Sequence, residues 1–173
     1  MTHLNIEIKA RCDQPFFIRE YLKTNHAEFK GTDHQTDTYF NLVNGRLKLR
    51  EGNIENNLIY YERNDGTGAR ESNFRLIHVP DAKGLKEVLK RSLGIKIVVE
   101  KKREIYFIGN VKFHIDEVIG LGSFAEIEAS DLYANISKEE LQRQCDFYMK
   151  ELCISNEDLI LLSYSDMLLT SQK

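Results

Sequence analysis

From Gly45 to Arg50 the chain reads Gly-Arg-Leu-Lys-Leu-Arg. In an extended strand successive side chains point to opposite faces, so Arg46, Lys48 and Arg50 share one face and Leu47 and Leu49 the other. The alternation recurs along the chain. Lys9 and Arg11 alternate with Ile8 and Ala10, Lys101 and Arg103 lie two apart, and Glu126 and Glu128 flank Ile127. A single strand of this kind is most often a solvated outer face. Here charged faces recur on at least five candidate strands, while the candidate helices carry apolar stripes that a sheet must cover. With helices outside, the charged faces point inward, the reverse of small barrels filled by apolar side chains.

The totals narrow what such an interior serves. A chain of 173 residues with 42% hydrophobic composition and no Pro/Gly/Ser-rich linker reads as a single domain, 1–173, with a sizeable core. Its net charge of −3 does not suit condensation onto nucleic acid or an acidic membrane, so any basic character is local. The three cysteines, Cys12, Cys145 and Cys153, are odd in number and form no CxxC pair, which argues against a disulfide framework or a structural zinc site. A reducing cytoplasm is the expected location. The N-terminus lacks the pattern of a leader peptide, and no run approaches the roughly 18 apolar residues that span a bilayer.

The expected elements follow from periodicity and punctuation. Residues 3–11 alternate as a strand, and Asp13 offers an N-cap to a helix running to about His26, with Phe17, Tyr21 and Leu22 as its buried stripe. Residues 35–42 and 46–51 form a hairpin around Asn44-Gly45, a pair suited to positive φ. Strands at 57–63 and 72–79 flank Asn64-Asp65-Gly66-Thr67-Gly68, which has turn chemistry and reads as a mobile loop. Asp81 caps a helix ended by Gly94, with Gly84 weakening it. A meander follows at 95–108, 111–119 and 123–130. Ser137 with Glu140 forms a capping box for a third helix, and a short helix is expected near 157–162. About eight strands joined by hairpins, three or four helices and no βα rhythm make an α+β chain with a mainly antiparallel sheet.

Electrostatics limits the purpose of the charged faces. Two like charges about 4 Å apart at an effective dielectric of about 20 repel by about 4 kcal/mol. Crowded cations therefore destabilise an empty protein, and pairing them with Glu7, Asp116, Glu126 and Glu128 relieves the repulsion with little net gain. A highly charged ligand explains the arrangement better. Arg and Lys hold phosphate oxygens, and hard carboxylates hold Mg²⁺ or Mn²⁺ bridging the same phosphates. His114 shares a strand face with Asp116, and a simple polar inward residue is the more economical account of it. No histidine pair has zinc-ligand spacing, and neither GxxxxGKT nor GxGxxG occurs.

With these residues assembled, the chain resembles the CYTH domain family of triphosphate tunnel metalloenzymes, in particular its bacterial class IV adenylyl cyclase-like branch. The resemblance is carried in order by Asn5-Ile6-Glu7-Ile8-Lys9-Ala10-Arg11, Asp37-Thr38-Tyr39-Phe40, Gly45 to Arg50, Tyr60-Tyr61-Glu62-Arg63, Val99 to Arg103, His114 to Val118, Gly120-Leu121-Gly122, Glu126-Ile127-Glu128 and Ser163 to Leu169. It implies a closed, antiparallel, eight-stranded β-barrel with helices packed outside. Lys9, Arg11, Arg46, Lys48, Arg50, Lys101 and Arg103 would hold phosphates, with Arg63 and Arg75 as further candidates. Lys9, Arg50 and Arg103 would act in catalysis. Glu7, Asp116, Glu126 and Glu128 would hold Mg²⁺ or Mn²⁺. Asn5 stands where the family's ExExK signature has its first Glu, and its amide oxygen can ligate a cation without adding charge. The implied reaction is metal-dependent conversion of ATP to cyclic AMP and pyrophosphate. The alternatives are hydrolysis of inorganic, thiamine or nucleoside triphosphate, and non-catalytic binding of polyphosphate or nucleotide. The expected partner is a nucleoside triphosphate or other triphosphate, with no nucleic acid or membrane, and a homodimer is compatible with the reading.

Overall fold

A computed structural model describes residues 3–63, 70–132 and 135–171. The chain runs β1 (His3–Arg11), α1 (Pro15–Thr24), β2 (Glu28–Phe40), β3 (Arg46–Glu51), β4 (Asn57–Arg63), β5 (Arg70–His78), α2 (Ala82–Leu93), β6 (Ile95–Ile108), β7 (Val111–Val118), β8 (Gly122–Ser130), α3 (Lys138–Glu151) and α4 (Tyr164–Ser171). The strands close into one barrel in the order β1-β5-β4-β3-β2-β6-β7-β8, and every pairing is antiparallel. The expected loop Asn64 to Gly68 lies outside the described residues.

The main hydrophobic core sits between barrel and helices. Ile6 and Ile8 of β1, Phe113 and Ile115 of β7 and Ile127 of β8 are buried against Ile18 and Leu22 of α1 and Leu141 and Cys145 of α3. Each such aliphatic or aromatic side chain contributes about 1.5–3 kcal/mol by leaving water. A second outer cluster joins Phe40, Leu49 and Val79 to Leu85, Leu89 and Leu93 of α2. Because these residues occupy one strand face, strand geometry commits their neighbours to the interior.

Local chemistry sets several joints as expected. Gly45 has φ +69°, and a Cβ there would meet the Tyr60 ring at 2.6–2.8 Å, so only glycine closes this turn without strain. Asp81 caps α2 by accepting from the Gly84 N–H at 2.9 Å, and the Ser137 hydroxyl accepts from the Glu140 N–H at 3.3 Å to open α3. Other joints differ. Gln14, not Asp13, occupies the N-cap of α1 and makes no side-chain cap bond. That helix buries Ile18 and Leu22, one turn apart, which turns Phe17 outward, and the helix ends at Thr24. β2 starts at Glu28, well before the expected Gln35, because the fourteen-residue β6 supplies ladder partners to its polar first half, with a register shift between Phe29 and Gly31. The helix expected near 157–162 is a single 3₁₀ turn at Asn156–Asp158, and the last helix is α4.

α4 arrives at the barrel along β1, where the Ile160 N–H donates to the Lys9 carbonyl at 2.8 Å. Its Tyr164 joins an inner-face cluster that includes Tyr39, Ile97, Val99, Val118 and Phe124, backed by Met167 and Leu168. The interior is therefore apolar where α4 meets it and ionic further along.

Candidate functional site

One cavity inside the barrel takes residues from every strand but β2's polar stretch. Glu7 and Lys9 of β1, Lys48 and Arg50 of β3, Lys101 and Arg103 of β6, Lys112 of β7, and Glu126 and Glu128 of β8 line it, with Ser163 and Tyr164 at the start of α4. Tyr39, Ile59, Tyr61, Phe74 and Leu76 add an apolar and aromatic wall. The period of two in strands places these side chains together.

Three ion-pair groups organise the charges. In the first, Asp37 of β2 accepts from Lys48 at 2.9 Å, from Arg50 at 2.8 and 2.9 Å, and from Lys101 at 2.7 Å. Burial alone would raise the Asp37 carboxyl, but Arg50, Lys101 and Lys48 outweigh it and hold the group well below the usual range. Lys101 is pushed down to about 7, first by burial and then by Arg50, Arg103 and Lys48, with Asp37 as the opposing influence. Three cations around one carboxylate leave this wall locally positive.

In the second group Arg103 grips Asp116 at 2.7 and 2.5 Å and reaches Glu126 at 2.7 Å. The Tyr164 hydroxyl donates to Asp116 at 2.8 Å, and Lys9 lies 3.3 Å from Glu126 and 4.1 Å from the centre of the Tyr164 ring. His114 Nδ1 is 3.0 Å from Glu126, while its Nε2 is buried without a hydrogen-bond partner among the described residues. Burial and the nearby Arg103 push His114 down to about 4, so the imidazole is neutral at physiological pH. It is an inward polar residue, as its place beside Asp116 suggested.

The third group is built on Glu55, in the turn between β3 and β4. Asp33 accepts from the Ile54 and Glu55 N–H groups at 2.9 and 3.0 Å and so fixes this turn. The Glu55 carboxylate then pairs with Arg50 at 2.8 Å and with Lys112 across the cavity. Burial would raise Glu55, but Lys112 and Arg50 lower it well below its ordinary value.

The structure sorts the residues singled out from sequence. Lys9, Lys48, Arg50, Lys101, Arg103, Glu7, Glu126 and Glu128 meet in the one cavity. Arg75 does not. Ser72, Phe74 and Leu76 of β5 face inward, so Arg75 falls on the exposed outer face near Tyr60. Arg11 is exposed at the end of β1, 5.5 Å from the centre of the Phe124 ring. Arg46 is drawn to α4, donating to Ser163 and Asp166 at 2.8 Å each. The side chain of Arg63 lies outside the described residues. Asp37, Glu55, Lys112 and Tyr164 are the participants that periodicity left without a role. Lys112 shares the face of His114 and Asp116, a signal present in the sequence, whereas Glu55 and Tyr164 come from a turn and a helix end with no period to announce them.

The acids at β1 and β8 fit a hard divalent cation. Glu7 lies directly opposite Glu128, and Glu126 is the next inward residue on β8. Burial, then Glu7 and Glu126, raise the Glu128 carboxyl against the pull of Lys112, which is repulsion that a cation would relieve. Beside them the Oδ1 of Asn5, which lines the same cavity, is buried with no hydrogen-bond partner among the described residues. Carboxylate and amide oxygens are the donors that Mg²⁺ or Mn²⁺ prefers. Among the described residues no three acids or histidines are yet gathered at one point, so a cation would draw these side chains together. Asp116 is a different case. Its oxygens accept from Arg103 and Tyr164, so in this arrangement it supports Arg103.

The comparisons agree with this architecture. The sequence is 27% identical over 177 residues to a Methanocaldococcus jannaschii protein named "Putative adenylate cyclase", covering 95% of this chain and 98% of that one. Its structure resembles that of the PH1012 protein from Pyrococcus horikoshii, with a TM-score of 0.81 and 28% identity over 94% of this chain and 98% of that one. A Hippeastrum protein described as a "Putative adenylyl cyclase" that reveals a dominant triphosphatase activity shares the fold at a TM-score of 0.66 and 13% identity, over 99% of this chain and 96% of that one. The CYTH domain pattern matches residues 3–160, most of the chain and all eight strands. The protein belongs to the CYTH domain family.

Proposed function

We propose that the barrel binds a nucleoside triphosphate with a divalent cation and converts ATP to cyclic AMP and pyrophosphate. The observation that carries the reading is the two-sided cavity. Lys48, Arg50 and Lys101 form a positive wall, Glu7 and Glu128 an acidic one, and Tyr39, Tyr61 and Phe74 offer apolar surface to a base or sugar. Mg²⁺ or Mn²⁺ held by Glu7, Glu126, Glu128 and Asn5 would neutralise phosphate charge and raise the acidity of the attacking hydroxyl.

The residues of the chain supply positioning and charge. Arg50 and Arg103 present guanidinium forks to phosphate oxygens, and Lys9, Lys48 and Lys101 act as point charges. Held extended between these cations, the triphosphate exposes its α-phosphorus in line with the ribose 3′-oxygen. The new bond joins that oxygen to the α-phosphorus as its O–H proton passes to solvent and the α–β bridging bond breaks, and pyrophosphate departs with its developing charge shared by the cations.

A second reading, hydrolysis of the terminal phosphate, uses the same residues with water as nucleophile. It is favoured by the fold-level likeness to the Hippeastrum protein, for which triphosphatase activity dominates. The test is incubation with ATP or tripolyphosphate in Mg²⁺ or Mn²⁺, followed by anion-exchange separation. Cyclic AMP with equimolar pyrophosphate supports cyclisation, and orthophosphate supports hydrolysis. Binding without product in either metal would instead make the protein a receptor for polyphosphate or nucleotide.

A further inference from the structure

Asp37 is almost wholly buried and faces the cations of the barrel interior from β2. Its two oxygens accept from all three cations of the positive wall, Lys48, Arg50 and Lys101, within 2.7–2.9 Å, and leave each with further N–H groups. A carboxylate that merely neutralised one partner would face one cation. This one gathers three from two strands, β3 and β6, which flank β2 on either side. We infer that Asp37 is the positioning residue of anion recognition, holding Lys48, Arg50 and Lys101 at one point so that a phosphoryl group meets three donors already assembled.

The geometry makes Lys101 the sensitive member. It is faced by Asp37 from β2, by Lys48 and Arg50 from β3, by Arg103 on its own strand and by the Tyr164 ring of α4, whose centre is 6.0 Å away. Burial and the other cations lower Lys101 to about 7, and Asp37 is the first influence that opposes them. Removing the Asp37 charge drops Lys101 further, so at pH 8 it becomes costlier to place a proton on Lys101 for a bound anion, and the wall loses its organiser as well. An arriving phosphate has the opposite effect and returns the proton, so binding through Lys101 takes up a proton above pH 7.

The inference rests on reading the interior as a triphosphate receptor, and the probe is inorganic tripolyphosphate titrated calorimetrically without turnover. Asp37→Asn should bind it about tenfold or more weakly than the wild type at pH 8, the size expected for one lost charge-assisted contact, and the deficit should shrink at pH 6. Lys101→Arg keeps Asp37 and a permanent charge. Relative to it, the wild type should lose about tenfold in affinity between pH 7 and pH 8.5, because only the lysine has to take up a proton to bind. Should Asp37→Asn fail to fold, Asp37→Glu takes its place: it keeps the charge but shifts the carboxylate by one methylene, and should also bind tripolyphosphate several-fold more weakly than the wild type at pH 8. Equal or tighter binding by Asp37→Asn at both pH values, or parallel pH profiles for wild type and Lys101→Arg, overturns the inference. Wild-type protein that binds no tripolyphosphate refutes the receptor reading along with it, whereas binding without turnover refutes only the proposed reaction.

Discussion

Replacing Arg103 with methionine tests the ionic interior where it is most tightly built. The guanidinium is buried at 3% exposure and makes bonds of 2.5–2.7 Å to Asp116 and Glu126. Methionine fills much of the volume but, among the described residues, leaves Asp116 with only the Tyr164 hydroxyl, and Glu126 with Lys9 and neutral His114. Removing one partner of a buried pair costs about 3–5 kcal/mol, because a charge remains in a poorly solvating site. For a chain of this size that is a fall of about 6–20 °C in melting temperature. The pH dependence follows from the same charges. Burial pushes both carboxyls up, and in the native protein Arg103 outweighs it and holds them low. Groups held low contribute stability above their unfolded values of about 4, and that contribution fades only as pH falls through the native values. In Arg103→Met burial loses its largest opponent, with only Lys9 and His114 left to counter it, so the carboxyls take up protons at higher pH than in the wild type and the penalty is relieved in acid. Urea unfolding should therefore show the full cost at pH 7.5 and no more than about half of it at pH 4.5. A cost under about 1 kcal/mol at pH 7.5, or an equal cost at both pH values, would refute the account of an interior held by this pair.

Three further outcomes follow from the placement of individual side chains. Lys48→Ala leaves Asp37 paired with Arg50 and Lys101, so melting should change little while tripolyphosphate affinity falls about tenfold by calorimetry. A large loss of stability would count against its role in binding. Glu128→Gln removes a carboxyl that burial, Glu7 and Glu126 make costly to ionise, so at pH 8 the metal-free protein should melt higher than the wild type and gain less from added Mn²⁺. Lower melting without metal would contradict the crowding of acids at β1 and β8. Arg75→Ala, on the exposed outer face, should leave turnover and tripolyphosphate binding unchanged within error, and a tenfold loss in either would mean that β5 is out of phase.

Alternation alone determined which residues of β1, β3, β6 and β8 share the interior, because a strand's period of two is a property of the backbone and does not wait for partners. The turn at Gly45 and the caps Asp81 and Ser137 were equally legible, since each is a bond within a few residues. The failures have one cause. Asp13, Phe17, the start of β2 and the short helix after Ser155 depended on neighbours distant in sequence: the layer beneath α1, the long partner strand β6 and the barrel end that α4 meets. Arg75 shows how the period misleads when its phase is set by which of two plausible faces packs inward. Only the closed barrel decided that Asp37 gathers three cations, that Glu55 reaches across to Lys112, and that Asp116 is committed to Arg103 and Tyr164. Charge pairing inside a barrel is a matter of which strands become neighbours, and hydrogen-bond geometry at 3 Å is fixed by that closure.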